Sequence, residues 1–145
     1  MATKCYLLDV NVLIALAWPQ HIHHVRSHAW FDTLTGTWAT TPITEGGYLR
    51  LTMNRAVVGS TVRATEAFAS LTAMRSLSGH VFLPDDSSLA QPAIDVSRVA
   101  SYRQITDAQL LNLAAASGAV LATLDRGIPE MAAPDDRKHV FLLPG

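Results

Sequence analysis

Short, mainly apolar runs recur along the chain at 5–8, 38–40, 81–83, 119–124 and 139–143, each stopped by a polar residue, a glycine or a proline. Runs of this length with little internal alternation read as strands buried on both faces. Helical spacing fills the gaps. The pattern predicts a helix over 12–17, capped by Asn11 and stopped near Pro19, and another over 21–34 carrying Val25, Ala29 and Trp30, closed by Gly36. Thr41-Pro42 looks like an N-cap with proline at the first helical position. That helix runs to about Asn54 with Ile43, Tyr48, Leu49 and Leu51. Ser60 or Thr61 opens a helix with an Ala64, Phe68, Leu71, Met74 stripe, ended by Ser78-Gly79. A weaker helical pattern covers 88–100. A stronger one covers 106–117, with Thr106 and Gln109 as a capping box and Gly118 at the end.

Strands separated by helices imply an α/β fold: a mainly parallel central sheet of four to five strands with helices on both faces. The run 139–143 comes last and is expected at an edge. The 145 residues suit one domain, 1–145, with no repeat, low-complexity tract or long linker.

In open parallel sheets, ligands bind beyond the carboxyl ends of the strands. Asp9 ends the first apolar run and Asp125 ends the run 119–124; Glu45 and Asp107 fall in the first turns of predicted helices. Each has a plain structural alternative. Asp107 and Glu45 suit the helix dipole, and Asp125 suits a turn before Gly127. Asp9 is harder to set aside, because a carboxylate inside an apolar run is costly unless something pairs with it. If all four meet, repulsion becomes the dominant fact: two carboxylates about 5 Å apart repel by roughly 3 kcal/mol at an effective dielectric of 20. An all-oxygen cluster of that kind calls for Mg²⁺ or Mn²⁺ and suits phosphodiester hydrolysis. Relief of repulsion further implies that Asp9→Ala or Asp107→Ala leaves a folded protein.

Charge narrows the function classes. The net charge of −1 does not fit a simple basic nucleic-acid binder. Nine of the eleven cations are arginine, however, the residue suited to bidentate phosphate contacts. One cysteine gives no intrachain disulfide. The apolar stretch 5–18 is broken by Asp9 and Asn11, which argues against a membrane span or signal peptide and makes a cytoplasmic protein the expectation.

Four segments together carry a family resemblance: Leu7-Leu8-Asp9-Val10-Asn11-Val12-Leu13-Ile14, Thr41-Pro42-Ile43-Thr44-Glu45, Ile105-Thr106-Asp107-Ala108-Gln109-Leu110-Leu111 and Leu121-Ala122-Thr123-Leu124-Asp125. In this order and spacing the chain resembles the PIN-domain ribonucleases, specifically VapC toxins of toxin–antitoxin pairs, over essentially its whole length. The resemblance implies a three-layer α/β/α PIN-like fold and Mg²⁺-dependent endonucleolytic cleavage of RNA, with Mn²⁺ able to substitute. It implies a catalytic and metal-binding cluster of Asp9, Glu45, Asp107 and Asp125, supported by Asn11 and Thr123. Asp9 and Asp107 would be the most direct ligands. Some relatives carry a further acid after the fourth; here Arg126 and Gly127 follow, which implies four acids and one metal. It also implies a homodimer and a VapB-like antitoxin whose C-terminal segment lies across the site.

Other residues have weaker claims. His21, His23, His24 and His28 invite a zinc reading, but no fourth soft ligand lies nearby, and a polar helix face fits better. Arg126, Arg103, Arg50 and Arg55 are candidates for holding phosphates. Trp30 and Trp38 suit the core, whereas Trp18, Ile22 and Phe31 would suit a dimer face if exposed. A phosphoryl-accepting domain would need a lysine near the site, which Lys4 and Lys138 do not supply. A PIN-like module that binds RNA or protein without cleavage, and a metal-dependent DNA nuclease, remain the competing readings.

Overall fold

The structure, a computed structural model, describes residues 3–145. In chain order the elements are β1 (Cys5–Leu8), α1 (Val10–Ala17), α2 (His24–Phe31), β2 (Thr37–Thr40), α3 (Pro42–Thr52), α4 (Arg55–Val58), α5 (Ala64–Arg75), β3 (His80–Phe82), α6 (Ile105–Ala116), β4 (Val120–Thr123), α7 (Gly127–Met131) and β5 (Val140–Leu142). Single 3-10 segments, Tyr102–Gln104 and Pro134–His139, precede α6 and β5.

The five strands form one sheet in the order β3-β2-β1-β4-β5, every pair parallel. The chain builds outward from β1 through β2 to β3, then crosses back to place β4 on the other side of β1. That reversal opens a crevice between the carboxyl ends of β1 and β4. In register, Leu7 lies beside Ala39 and Leu121, and Leu8 beside Ala122.

Alternation along the strands splits the core in two. Leu7, Ala39 and Leu121 face α6 and α7, against Leu110, Leu111, Leu113 and Ile128. Leu8 and Ala122 face the other way, against Val12, Leu13 and Ile14 of α1, Trp30 of α2 and Tyr48 of α3. The result is the expected α/β/α sandwich, with its parallel sheet, its edge strand β5, and Trp30 and Trp38 buried.

Several local expectations are corrected. Asn11 does not cap α1; Asp9 does, with extended backbone and a carboxylate that accepts from the Val10 N–H at 2.7 Å. Asn11 sits inside the helix. Helix α2 covers only the middle of 21–34. In α5, Leu71 and Met74 of the expected stripe pack against the core, but Ala67 takes the inward place expected of Phe68, which is 56% exposed. The segment 88–100 is not helical. Pro92 removes an N–H there and turns its predecessor away from helical angles. The segment is instead pinned by Asn112, which accepts from the Ala93 N–H at 2.7 Å, and by Asp136, which accepts from the Asp95 N–H at 2.7 Å. Helix α6 starts at Ile105, so Thr106 and Gln109 are not its capping box. Ser101 and Gln104 perform that exchange one turn earlier. Helix α4, four residues capped by Asn54 and closed by Gly59 at φ 78°, had no periodic signal. Trp18 and Phe31 are partly buried against the core, which leaves Ile22 as the exposed member of the suggested dimer face.

The histidines close the end of α1. His24 Nδ1 lies 2.7 Å from the Ala15 carbonyl and His28 Nε2 lies 2.9 Å from that of Leu16. Both rings thus satisfy carbonyls that a helix end leaves without partners.

Candidate active site at the carboxyl edge of the sheet

Because all five strands are parallel, everything that follows a strand emerges at one edge. Asp9 follows β1 directly, and its own N–H donates to the Ala122 carbonyl of β4 at 2.9 Å, locking it over the crevice. Its side chain is fully engaged. Oδ1 accepts from Val10 N–H, and Oδ2 accepts from the Thr123 hydroxyl at 2.7 Å. Asp9 is only 7% exposed. Burial pushes its carboxyl above the usual range and the nearby Asp125 charge adds to this, while the Thr123 and Val10 donors pull it back down.

Thr123, the last residue of β4, is the hub of this half of the site. Its hydroxyl proton goes to Asp9, so its lone pairs serve as acceptors, for Asn11 Nδ2 at 3.3 Å and the Asp125 N–H at 3.0 Å. Asn11 Oδ1 in turn accepts from the Leu124 N–H at 3.2 Å. Asn11 and Thr123, which the resemblance nominates as support for the acids, thus join β1–α1 to the end of β4. Asp125 is exposed, and its Oδ1 accepts from the Gly127 N–H at 2.8 Å. The turn role and closeness to Asp9 coexist.

Asp107 arrives from the other layer, in the first turn of α6. It is half-buried and has no hydrogen-bond donor among the described residues. Its carboxyl is pushed up to about 6, first by burial and then by the charges of Asp9 and Asp125. Asp9 and Asp125 thus both act on Asp107, and Asp125 acts on Asp9.

Glu45 is placed differently. Helix α3 brings it to the same edge, but its contacts lie toward β2 and α5. Oε2 accepts from the Thr40 hydroxyl at 2.6 Å and lies 3.5 Å from an Arg75 guanidinium nitrogen. Thr40 Oγ also lies 2.7 Å from His80 Nε2. With the single hydroxyl proton given to Glu45, Nε2 must carry a proton and donate to Thr40. His80 is held below its ordinary pKa by burial and by Arg75, against a smaller opposing pull from Glu45. Helix α3 can reach this close because Gly47 meets Val10: a Cβ there would fall 2.6 Å from Val10 Cγ2.

Thr40, Arg75 and His80 were missed by the sequence reading. Thr40 carried a usable signal, since it ends a strand as Asp9 and Asp125 do. The nominated arginines are surface residues. Arg50, Arg55, Arg103 and Arg126 are exposed, and none forms an ion pair with a site acid among the described residues. Arg103 packs on Tyr102, 5.8 Å from its ring centroid.

Among the described residues no three His, Cys, Asp or Glu side chains stand close enough to clasp a metal ion as they are. The donor chemistry nonetheless suits a hard divalent cation. Asp9, Asp107 and Asp125 offer only oxygens, and burial and mutual repulsion hold Asp107 well above its ordinary value. A separate apolar cavity of about 330 Å³, walled by Leu13, Leu16, Phe31, Trp38, Met74 and Leu77, contains none of these acids.

Among the described residues no helix is long and apolar enough to cross a membrane. The family model described as PIN domain matches residues 6–134. Ribonuclease VapC39 of Mycobacterium tuberculosis is 47% identical over 128 residues, covering 87% of this chain and 92% of the relative. Ribonuclease VapC38 of the same organism is 45% identical over 138 residues, covering 94% and 96%. The crystal structure of PAE2754 from Pyrobaculum aerophilum superposes with a TM-score of 0.56 at 25% identity, covering 89% of this chain and 80% of that one. With the match spanning both faces of the sheet and all four acid-bearing segments, the chain belongs to the PIN-domain family, with VapC ribonucleases among its relatives.

Proposed function

We propose that this protein is a divalent-metal-dependent endoribonuclease, the toxin of a toxin–antitoxin pair, which hydrolyses RNA phosphodiester bonds at the carboxyl edge of its sheet. The observation that carries this reading is the placement of Asp9 and Asp125 at the carboxyl ends of β1 and β4, with Asp107 of α6 half-buried and near enough to feel both charges. Such a group of acids is poorly suited to receive a polyanion by itself and well suited to do so with a cation. Relatives named as ribonucleases favour RNA over DNA as substrate.

The residues divide the work. Asp9, Asp107 and Asp125 would hold Mg²⁺, with Mn²⁺ as a substitute. Bound there, the ion supplies Lewis acidity toward the phosphate and lowers the pKa of water. Asp9 is the fixed member, because Thr123 and the start of α1 hold both of its oxygens. Asp107 has no such ties and can adjust to the ligand. Glu45 completes the site from the β2 side, where Thr40 fixes one carboxylate oxygen. It is suited to orient the attacking water. Asn11 and Thr123 set the spacing between Asp9 and Asp125. Arg126, Arg103 and Arg50 are proposed for outer phosphates. A VapB-like antitoxin, a homodimer and a cytoplasmic setting belong to the same reading.

The test is cleavage of total cellular RNA by wild type and Asp9→Asn purified alike, in Mg²⁺, in Mn²⁺ and in EDTA. Discrete fragments from wild type alone, lost in EDTA, are expected. Binding of RNA with no cleavage under any condition would replace this reading with that of a non-cleaving PIN module.

A further inference from the structure

A site lined by carboxylates needs a cation of its own to grip the flanks of a polyanion. The structure offers one that composition and motif did not indicate. Arg75 is the last residue of α5, where the helix dipole favours positive charge. Its guanidinium lies over the Phe82 ring, 4.9 Å from the centroid, and 3.5 Å from Glu45 Oε2. Helix α5 and strand β3 therefore meet beside Glu45 with a guanidinium between them.

That ion pair is loose. A charge-assisted N–H···O bond spans roughly 2.7–2.9 Å, whereas this contact is 3.5 Å. Glu45 does not depend on it, because the Thr40 hydroxyl already donates to the same oxygen at 2.6 Å. Arg75 has five N–H donors, a side chain 42% exposed against 13% for Glu45, and an aromatic ring 4.9 Å from its guanidinium carbon that limits where the group can go. A fork seated on a ring, partly solvated and weakly engaged is preorganised for a phosphate.

We propose that Arg75, seated on Phe82, binds a backbone phosphate of single-stranded RNA next to Glu45, exchanging its contact with the Glu45 carboxylate for the phosphate oxygens. The inference rests on the ribonuclease reading and deepens it by assigning a binding residue. It also gives Glu45 two electrostatic states. Without RNA its charge faces a guanidinium; with RNA that guanidinium is shared with the phosphate.

The experiment measures equilibrium binding of a fluorescein-labelled, mixed-sequence 20-nucleotide oligoribonucleotide by anisotropy, across a salt series in Mg²⁺. The Asp9→Asn background keeps the RNA intact. Arg75→Ala, Arg75→Lys and the control Arg63→Ala are compared in that background, and their cleavage rates in the otherwise wild-type protein. Arg63 is an exposed cation whose partner, Glu66, lies outside the site. Arg75→Ala is expected to weaken binding about 5- to 10-fold and to reduce the salt slope by about 0.7, the loss of roughly one phosphate contact on a single strand. Arg75→Lys should regain most of the slope and less of the affinity, and Arg63→Ala should match the parent. Unchanged binding and slope in Arg75→Ala, with only cleavage reduced, would show that Arg75 merely positions Glu45 and would overturn the proposal alone. An equal loss in Arg63→Ala would also overturn it. No RNA binding by the parent and no cleavage by wild type would overturn this proposal and the ribonuclease reading together.

Discussion

The two halves of the acid edge hold their carboxylates by opposite means. On the β1–β4 side, Asp9 is buried and receives only neutral donors, a backbone N–H and the Thr123 hydroxyl. On the β2–β3 side, Glu45 receives the Thr40 hydroxyl but also faces the Arg75 charge. Neutral donors orient a carboxylate and leave its charge in place; a guanidinium partly cancels it. On the proposed reading the demand for a cation falls on Asp9, Asp107 and Asp125, in line with the burial and repulsion that raise Asp107 to about 6. On the same reading Glu45 would face the water and the substrate rather than supply most of the charge that holds a metal.

The sharpest test of this difference is activity. Asp107→Asn and Asp9→Asn should each lower cleavage by roughly 10²–10³-fold, the scale seen when one preorganised electrostatic group is removed from an active site. Thr40→Val should cost less, because it loosens Glu45 without removing a charge. Initial rates on one purified RNA target, with Mg²⁺ saturating, would rank them. Thr40→Val as damaging as Asp107→Asn would erase the distinction between the halves. Replacing Mg²⁺ with Ca²⁺, whose longer and looser coordination fits poorly, should also abolish cleavage without unfolding the protein.

One contact between the two halves lies close to both acids: Gly47 of α3 packs on Val10 of α1. Val10 adjoins Asp9, and Gly47 is two residues from Glu45. A methyl at Gly47 would fall 2.6 Å from Val10 Cγ2. Overpacking of this kind costs about 1–3 kcal/mol, against up to about 1 kcal/mol gained from replacing glycine in a helix. Gly47→Ala is thus expected to destabilise by about 1 kcal/mol in chemical denaturation and to lower cleavage. Adding Val10→Ala should recover part of the activity by reopening the space. If Gly47→Ala proves stabilising, the two helices are free to separate and the spacing between the halves is not set here.

How much of this was legible beforehand follows the same division. Asp9 and Asp125 could be found because they end apolar runs, and the parallel-sheet rule then placed them at one edge. Asn11 and Thr123 were legible only through the resemblance. Their bonds join residues more than 100 positions apart, and no local pattern signals that. The Glu45 side was half legible. Its acid was identified, but Arg75 looks like any cation ending a helix, and His80 like any polar residue opening a strand. What selects them is the β2–β3 pairing, which sets Thr40 beside Phe82 and Trp38 beside His80. The fold was read well wherever an apolar run was continuous. It was misread at 88–100, where apolar residues at helical intervals surround Pro92, and at one position of α5, where Ala67 rather than Phe68 turns inward beside Leu71 and Met74.

A smaller effect separates Asp9 from Asp107 in stability. Asp9 caps α1 and accepts the Thr123 hydroxyl, so Asp9→Ala loses a cap worth about 1 kcal/mol and strands a buried donor. The simple expectation that removing any crowded carboxylate is tolerated is therefore kept for Asp107 and is offset at Asp9. In metal-free denaturation, Asp107→Ala should equal or exceed wild type and Asp9→Ala should fall below it by about 1 kcal/mol. Equal destabilisation of both variants would mean that Asp107 has a structural partner.

The gentlest test is the pH dependence of the metal-free protein. Asp107 has a folded-state pKa of about 6 against an ordinary 3.8. Between those values the folded protein binds more protons at this site than the unfolded chain, so this contribution to stability falls as pH rises and is flat above about 6. Asp9, also raised, acts in the same direction. Asp95 and Glu66, whose values are lowered, act in the opposite direction, so the raw curve mixes signs. The informative quantity is the difference between wild type and Asp107→Asn, measured by denaturation midpoints in EDTA. That difference should grow in favour of the variant from about pH 4 to about pH 6 and then level off. Saturating Mg²⁺ should remove the trend from wild type, because an ion bound by these acids repays their ionisation. Parallel curves in EDTA would mean that neither burial nor the charges of Asp9 and Asp125 act on the Asp107 carboxyl, and the contrast between a charge-hungry half and a compensated half would fail at its source.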